Sequence, residues 1–182
     1  YCQRVPSTDE RHQLSYLLEP MPNLPAGTPL VSLEIDAPSR KDKPGPWWAA
    51  FRTATLAVQA PVHYDGHFAV DLTLPDGWSN TTVANALKPL LDGLVSALHT
   101  HEEHVHDDVS RARLMSSLAM LGEPDVMWSM LRDPGCNLLG SRALIRPHRN
   151  GIAWNPADER CHAFRVQRAK QASVHAEIRT LL

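Results

Sequence analysis

The densest run of chemically capable side chains is His99–Asp108, which reads H-T-H-E-E-H-V-H-D-D and places four imidazoles and four carboxylates within ten residues. Imidazole suits zinc, nickel or iron, and carboxylate suits magnesium or manganese, so this stretch could hold a metal. It has neither the H-E-x-x-H spacing nor a fixed zinc pattern. The competing reading is a hydrated loop whose histidines titrate near their ordinary pKa of about 6.5. A second group, Arg142, Arg146, His148 and Arg149, surrounds the turn R-P-H-R-N with Trp154 close behind. Arginines on a hairpin tip can grip phosphates through charge and paired N–H donors, and an aromatic beside them can stack on a base. The alternative is a solvated hairpin with Trp154 in the core. Cys2, Cys136 and Cys161 have no C-x-x-C spacing and no adjacent base pattern, so neither a disulfide framework nor a nucleophilic thiol is expected.

The elements that must position these groups follow from periodicity. Leu30–Ile35 (L-V-S-L-E-I) alternates as a strand and runs into the basic loop A-P-S-R-K-D-K-P-G-P. Trp47–Gln59 reads as a helix with Pro46 in its first turn, and Trp47 and Trp48 belong to the core. Phe68–Leu74 is a second strand, stopped by Pro75-Asp76-Gly77, with Asp71 expected as an exposed strand carboxylate. From Thr82 to Leu98 an apolar stripe of Val83, Leu87, Leu90, Leu91, Leu94, Val95 and Leu98 predicts a helix capped by Thr81 or Thr82. Pro89 and Gly93 weaken that helix locally. A further helix is expected over Ser110–Leu121. Leu138–Ile145 with Gly151–Trp154 reads as a strand pair, and Cys161–Gln167 as a last strand. The order of elements predicts an α+β fold, a small mixed sheet with packed helices.

With 182 residues, 43% hydrophobic and 21% charged, the chain has the make-up of one ordinary domain rather than of a disordered or fibrous protein. A proline-rich arm over 1–29, suited to a protein partner, precedes a single domain over 30–170 and a tail over 171–182. No apolar run is long enough to span a bilayer and no leader is seen at the start, so a cytoplasmic protein without a membrane role is expected. The net charge of −2 excludes a uniformly basic nucleic-acid coat, but it is unevenly spread. Residues 132–182 hold nine Lys/Arg against four Asp/Glu, about +5, which leaves about −7 on the remainder. A face that meets phosphate and another that holds carboxylates would give this asymmetry.

The passage from strand through Pro-Asp-Gly into T-V-A-N-A-L-K-P-L-L-D-G-L resembles the RusA-type Holliday-junction resolvases, whose motif there is D-x-D-N-x-x-K-x-x-x-D. Asn85, Lys88 and Asp92 match it in identity and spacing, and the upstream strand, basic loop and Trp-Arg helix follow the same order. The resemblance covers about residues 30–110, with a tail to about 167. It implies a homodimeric endonuclease of bacteria or phages acting on branched or structured DNA, in which carboxylates hold Mg2+ or Mn2+ and Lys88 steadies charge at the phosphate. Asn85 and Asp92 would complete the catalytic set, and Asp107 or Asp108 would supply a further metal ligand. Arg40, Lys41 and Lys43 would lie near the nucleic acid. Thr82 and Ala84 stand where the family has its first two aspartates, and neither offers a carboxylate.

Each matched residue also has an ordinary reading: Lys88 solvated, Asn85 a second cap, Asp92 paired with a neighbouring base. The expectation is therefore an endonuclease disabled at positions 82 and 84. The rival is a non-catalytic nucleic-acid-binding or assembly protein that keeps the nuclease fold. A small metalloprotein built on the histidine segment is a third possibility.

Overall fold

In β1 (Pro29–Ile35), Val31, Leu33 and Ile35 are buried while Ser32 and Glu34 are exposed, the period-2 pattern of a strand with one face on a core. β8 (Val174–Thr180) repeats the pattern, with Val174, Ala176 and Ile178 buried. β2 (Phe68–Pro75) is apolar at nearly every position because it lies inside the sheet. The computed structural model describes residues 27–58, 63–102, 108–149, 151–156 and 158–181. Its main sheet has the order β1-β8-β2-β7, where β7 is Cys161–Ala169. β8 runs antiparallel to both β1 and β2, and β7 is parallel to β2. β1, β2 and β7 therefore all deliver their carboxyl ends to the same edge.

Two helices leave that edge, α1 (Pro44–Val58) after β1 and α2 (Asn80–Ala97) after β2, and they pack on one another. Trp47, Trp48, Phe51, Leu90 and Leu94 are fully buried with the inward residues of the sheet. The backbones meet at Gly93, where a Cβ would lie 2.5 Å from the Cβ of Trp47 and 2.8 Å from both the Pro44 carbonyl oxygen and the Trp48 nitrogen. Gly93, a weak helix former, is what lets the two axes close. α2 runs unbroken past Pro89.

The remaining elements are short. β3 (Thr100–His101) pairs in parallel with β4 (Ser141–Arg142), α3 (Asp108–Leu118) and α4 (Pro124–Arg132) pack together, and β5 (Ile145–His148) forms a hairpin with β6 (Gly151–Trp154). The architecture is mixed α+β, a four-stranded mixed sheet with packed helices. Among the described residues no helix is long and apolar enough to cross a membrane.

Several local expectations are corrected. α2 is capped by Ser79 instead of a threonine: its hydroxyl oxygen accepts the Thr82 N–H at 3.1 Å. The hairpin begins at Ile145, because Leu138 and Leu139 are buried from a turn. α4 was not foreseen. It spans only nine residues, started by Pro124 and by the Glu123 carboxylate accepting from Asp125 N–H. The segment set aside as a tail, 171–182, contains β8, which pairs on both sides. Of the expected arm only residues 27–29 are described, and Thr28 exchanges hydrogen bonds with Thr180.

Arg52, wholly buried on α1, is the polar centre of the core. Its Nε donates to the Met130 carbonyl at 2.7 Å, Nη1 to Ala97 and His99 at 2.9 and 2.8 Å, and Nη2 to Leu131 and Asp133 at 3.4 and 2.8 Å. Five N–H donors meet five carbonyls at the ends of α2 and α4, where the helix dipoles concentrate negative charge. A buried cation is tolerated only with such compensation.

Candidate functional site at the carboxyl edge of the sheet

Ligand sites in open sheets gather outside the carboxyl ends of parallel strands, where loops leave for the helices. At the edge shared by β1, β2 and β7, the Pro75-Asp76-Gly77 turn brings Trp78 to the start of α2, held by Trp78 N–H to Pro75 O at 3.2 Å and Asp76 N–H to Ala169 O at 2.9 Å. The Trp78 ring lies 6.2 Å from that of Trp47 and carries the Lys41 ammonium 5.5 Å from its centroid. Trp47 Nε1 donates to the Lys41 carbonyl at 3.1 Å, which fixes the loop after β1. From β7, Arg168 donates to Asn80 Oδ1 at 2.6 Å. Arg40 and Lys43 are exposed on the same loop as Lys41, with Arg40 3.8 Å from Asp42. The first turn of α2 has no acidic residue, so its positive end is not neutralised from within.

Further along α2, Asn85 is exposed, and Lys88 Nζ reaches both oxygens of Asp92 at 2.9 and 3.1 Å. Residues 85, 88 and 92 share one stripe of the helix, so the matched motif residues do stand together. Thr82 is half-buried with its hydroxyl 2.9 Å from Ser79 Oγ, and Ala84 presents a methyl group to solvent. Asp92 is the sole acid of α2 and faces Lys88. These residues alone do not fit a magnesium ion, which needs several oxygen ligands. Asp107 lies outside the described residues; Asp108 opens α3, and its side chain is outside them too. Among the described residues no group of three or more His, Cys, Asp or Glu is placed to hold a metal.

The histidine segment divides. His99 and His101 are 2% exposed, so they are core residues rather than parts of a hydrated loop. His99 Nδ1–H donates to Val95 O at 2.8 Å, and burial lowers its pKa from 6.5 to about 4. His101 accepts the Leu144 N–H at 3.1 Å and meets Trp128 edge-on. His104 and His106 lie outside the described residues.

Four of the nine bases in the carboxyl-terminal third are engaged by the fold itself. Arg142 pairs with Glu159 at 3.2 Å. Arg160 donates to the carbonyls of Leu139 at 2.9 Å, Gly66 at 3.1 and 3.3 Å, and Tyr64. Arg165 and Arg179 converge on Asp71 at 2.9 and 3.2 Å, and Arg179 also contacts Glu177. Asp71 is consequently 14% exposed, a bridged carboxylate at the middle of the sheet instead of a free one. Arg146 and Arg149 remain exposed on the β5–β6 hairpin, where Arg149 takes φ 51° in the turn. Trp154 lies tilted against Trp48 at 5.3 Å and is partly buried against the core, which uses its ring inside the fold.

Sequence reasoning missed Trp78 and Arg168 as members of this edge. Trp78 had a signal, a large aromatic directly after a Pro-Asp-Gly turn; Arg168 had none, since its place depends on β7 lying parallel to β2. No protein-family model, no curated protein and no solved structure was found to match the chain.

Proposed function

We propose that this chain binds branched or structured DNA on a RusA-like scaffold without hydrolysing it. The observation that carries the reading is the carboxyl edge, where Lys41 over Trp78 and Arg168 on Asn80 flank the acid-free start of α2. Unpaired N–H groups of a helix start together with lysine and arginine favour phosphate, and an indole at the same edge gives a base a surface to stack on. Arg40 and Lys43 extend the contact along the backbone, and Arg146 and Arg149 offer a second grip. Positions 82 and 84 present a bonded hydroxyl and a methyl, so the ligand is held and not cut. A homodimer with two such edges and a cytoplasmic location go with this reading. In the enzymatic alternative, Mg2+ or Mn2+ would be held with Asp107 or Asp108 beside Asp92.

The test incubates the chain, an Ala84→Asp variant and a Lys41→Glu/Arg168→Glu variant with a labelled four-way junction and with plain duplex, in Mg2+ and in Mn2+. Junction binding without cleavage, weakened more than about tenfold by the charge reversals and with a shallower salt dependence, supports the proposal. Cleavage by the unaltered chain overturns the non-hydrolytic reading. Cleavage by Ala84→Asp alone identifies a nuclease scaffold whose unaltered form does not cut, as proposed. Binding of neither DNA overturns the proposal altogether.

A further inference from the structure

At the other end of β2, away from α2, two imidazoles face each other. His67 immediately precedes β2 and His162 is the second residue of β7; their ring centroids are 3.8 Å apart, their planes differ by 25°, and both are exposed. The chain brings them together by a specific irregularity. Strand register passes from Phe68↔Cys161 to Ala69↔Ala163, so β7 carries one residue more than β2 at this point, and that residue is His162. A bulge of this kind re-aims a side chain.

His67 is fixed from the other side. Its carbonyl accepts the Tyr64 hydroxyl at 2.9 Å and the Leu181 N–H at 3.0 Å. Arg160, two residues before His162, grips the carbonyls of Gly66 and Tyr64 just before His67. One guanidinium thus ties the loop that presents the first imidazole to the strand that presents the second.

We propose that His67 and His162 form a two-imidazole site for a late first-row divalent cation, zinc, copper or nickel, with water in the remaining positions. Imidazole nitrogen suits these ions, whereas magnesium and calcium take oxygen. Rotation of both rings about their Cβ–Cγ bonds, out of the stacked arrangement, is the movement that would let one nitrogen of each reach a shared ion at the usual metal–nitrogen distance of about 2.0–2.1 Å. Both rings are already exposed, so the ion keeps part of its hydration. Asp65, two residues before His67, has its carboxylate 2.6 Å from His63 Nε2. The site is independent of the DNA reading, since it lies at the opposite end of β2.

Calorimetric titration of the full chain with Zn2+ and with Ni2+, alongside the ring C–H signals of the histidines by NMR, tests the assignment. One equivalent is expected to bind, with the His67 and His162 signals shifted. Either His67→Ala or His162→Ala is expected to weaken binding at least about tenfold, the lower end of what loss of even an outer-shell partner costs. Mg2+ is expected to shift neither ring. His104→Ala with His106→Ala is expected to leave this equivalent intact. Unchanged binding in the His67→Ala/His162→Ala double variant overturns the proposal, as does binding abolished by the His104/His106 pair alone or no binding at all. Both histidines are exposed, and an unchanged melting curve of the variants keeps loss of metal distinct from loss of fold.

Discussion

The two ends of α2 are built for opposite purposes. At its carboxyl end every carbonyl from Val95 to His99 has a protein donor: His99 Nδ1 for Val95, His99 N–H for Ser96, Arg52 for Ala97 and His99, and Leu139 N–H for Leu98. At its amino end Ser79 caps one N–H, and the surroundings are exposed cations and a half-buried indole. A helix leaves unpaired groups at both ends. Here one set is satisfied inside the core, and the other is left facing solvent and charge. The difference teaches where change is tolerated: the sealed end carries the fold, and the open end is, on the proposed reading, where a ligand would be met.

The strongest way to break this contrast is Arg52→Met. The substitution preserves bulk but strips the Arg52 donors from five carbonyls at two helix ends, three of them in fully buried bonds, and each buried group left unsatisfied costs about 1–3 kcal/mol. The total rivals the roughly 5–15 kcal/mol that holds a domain together. The variant is expected to lack a cooperative urea transition, and Arg52→Lys is not expected to restore it, because an ammonium cannot span five carbonyls in a plane. Lys41→Glu at the open end is expected to leave the transition in place. A cooperative Arg52→Met with an unchanged midpoint would show that the carboxyl end is not held by this side chain.

A smaller effect comes from His99 through pH. Its pKa is lowered to about 4 in the fold by burial, against 6.5 when unfolded. Between those values the unfolded chain binds the extra proton, so stability contributed by neutral His99 is complete above about pH 6.5 and lost as pH falls toward 4. The span amounts to about 3 kcal/mol. Urea midpoints from pH 7 to pH 4 are expected to fall accordingly, and His99→Asn, which keeps a donor for Val95 but does not titrate, is expected to flatten that decline. An equal decline in both proteins would assign it to other groups.

Midway along the helix, Gly93→Ala tests the contact that joins both ends to α1. Elsewhere in a helix this change stabilises, by up to about 1 kcal/mol. Here the methyl would overlap the Trp47 Cβ and two backbone atoms, and a loss of about 1–3 kcal/mol is expected in equilibrium unfolding. A gain in stability would mean that α1 and α2 can shift apart.

How much of this was legible in the sequence follows the range of the forces involved. The strands β1, β2 and β7 and the helices α1 and α2 are set by alternation, apolar stripes and a Pro-Asp-Gly turn, all local signals. β8 escaped notice because its inward Ala176 is small and His175, Glu177 and Arg179 read as a polar tail; only its two neighbours make it a strand. Ser79 was passed over for threonines two and three residues later because several cap-forming side chains fall within one turn there. The candidate site was legible where it lies on one helix, at Asn85, Lys88 and Asp92, and on one loop, at Arg40, Lys41 and Lys43. It was not legible where it depends on distant segments meeting: Arg52 under two helix ends, Arg168 beside Asn80, His162 against His67. A histidine also looks the same in a sequence whether it is in water or, like His99 and His101, in the core.

The smallest expected effect sharpens the contrast most. Lys88 and Asp92 form an i, i+4 ion pair on the solvent side of α2, and a pair with the lysine half exposed contributes only about 0.3–0.5 kcal/mol. A double-mutant cycle of Lys88→Met and Asp92→Asn is expected to give a coupling of that size in urea unfolding. If the proposed binding holds, the same variants are expected to change junction binding by a larger factor for Lys88→Met than for Asp92→Asn, because one removes a cation and the other a competing anion. A coupling above about 1 kcal/mol, with no change in binding, would make the pair part of the scaffold. The matched motif would then hold the helix and nothing else, and the open end of α2 would reduce to its first turn and the cations on neighbouring segments.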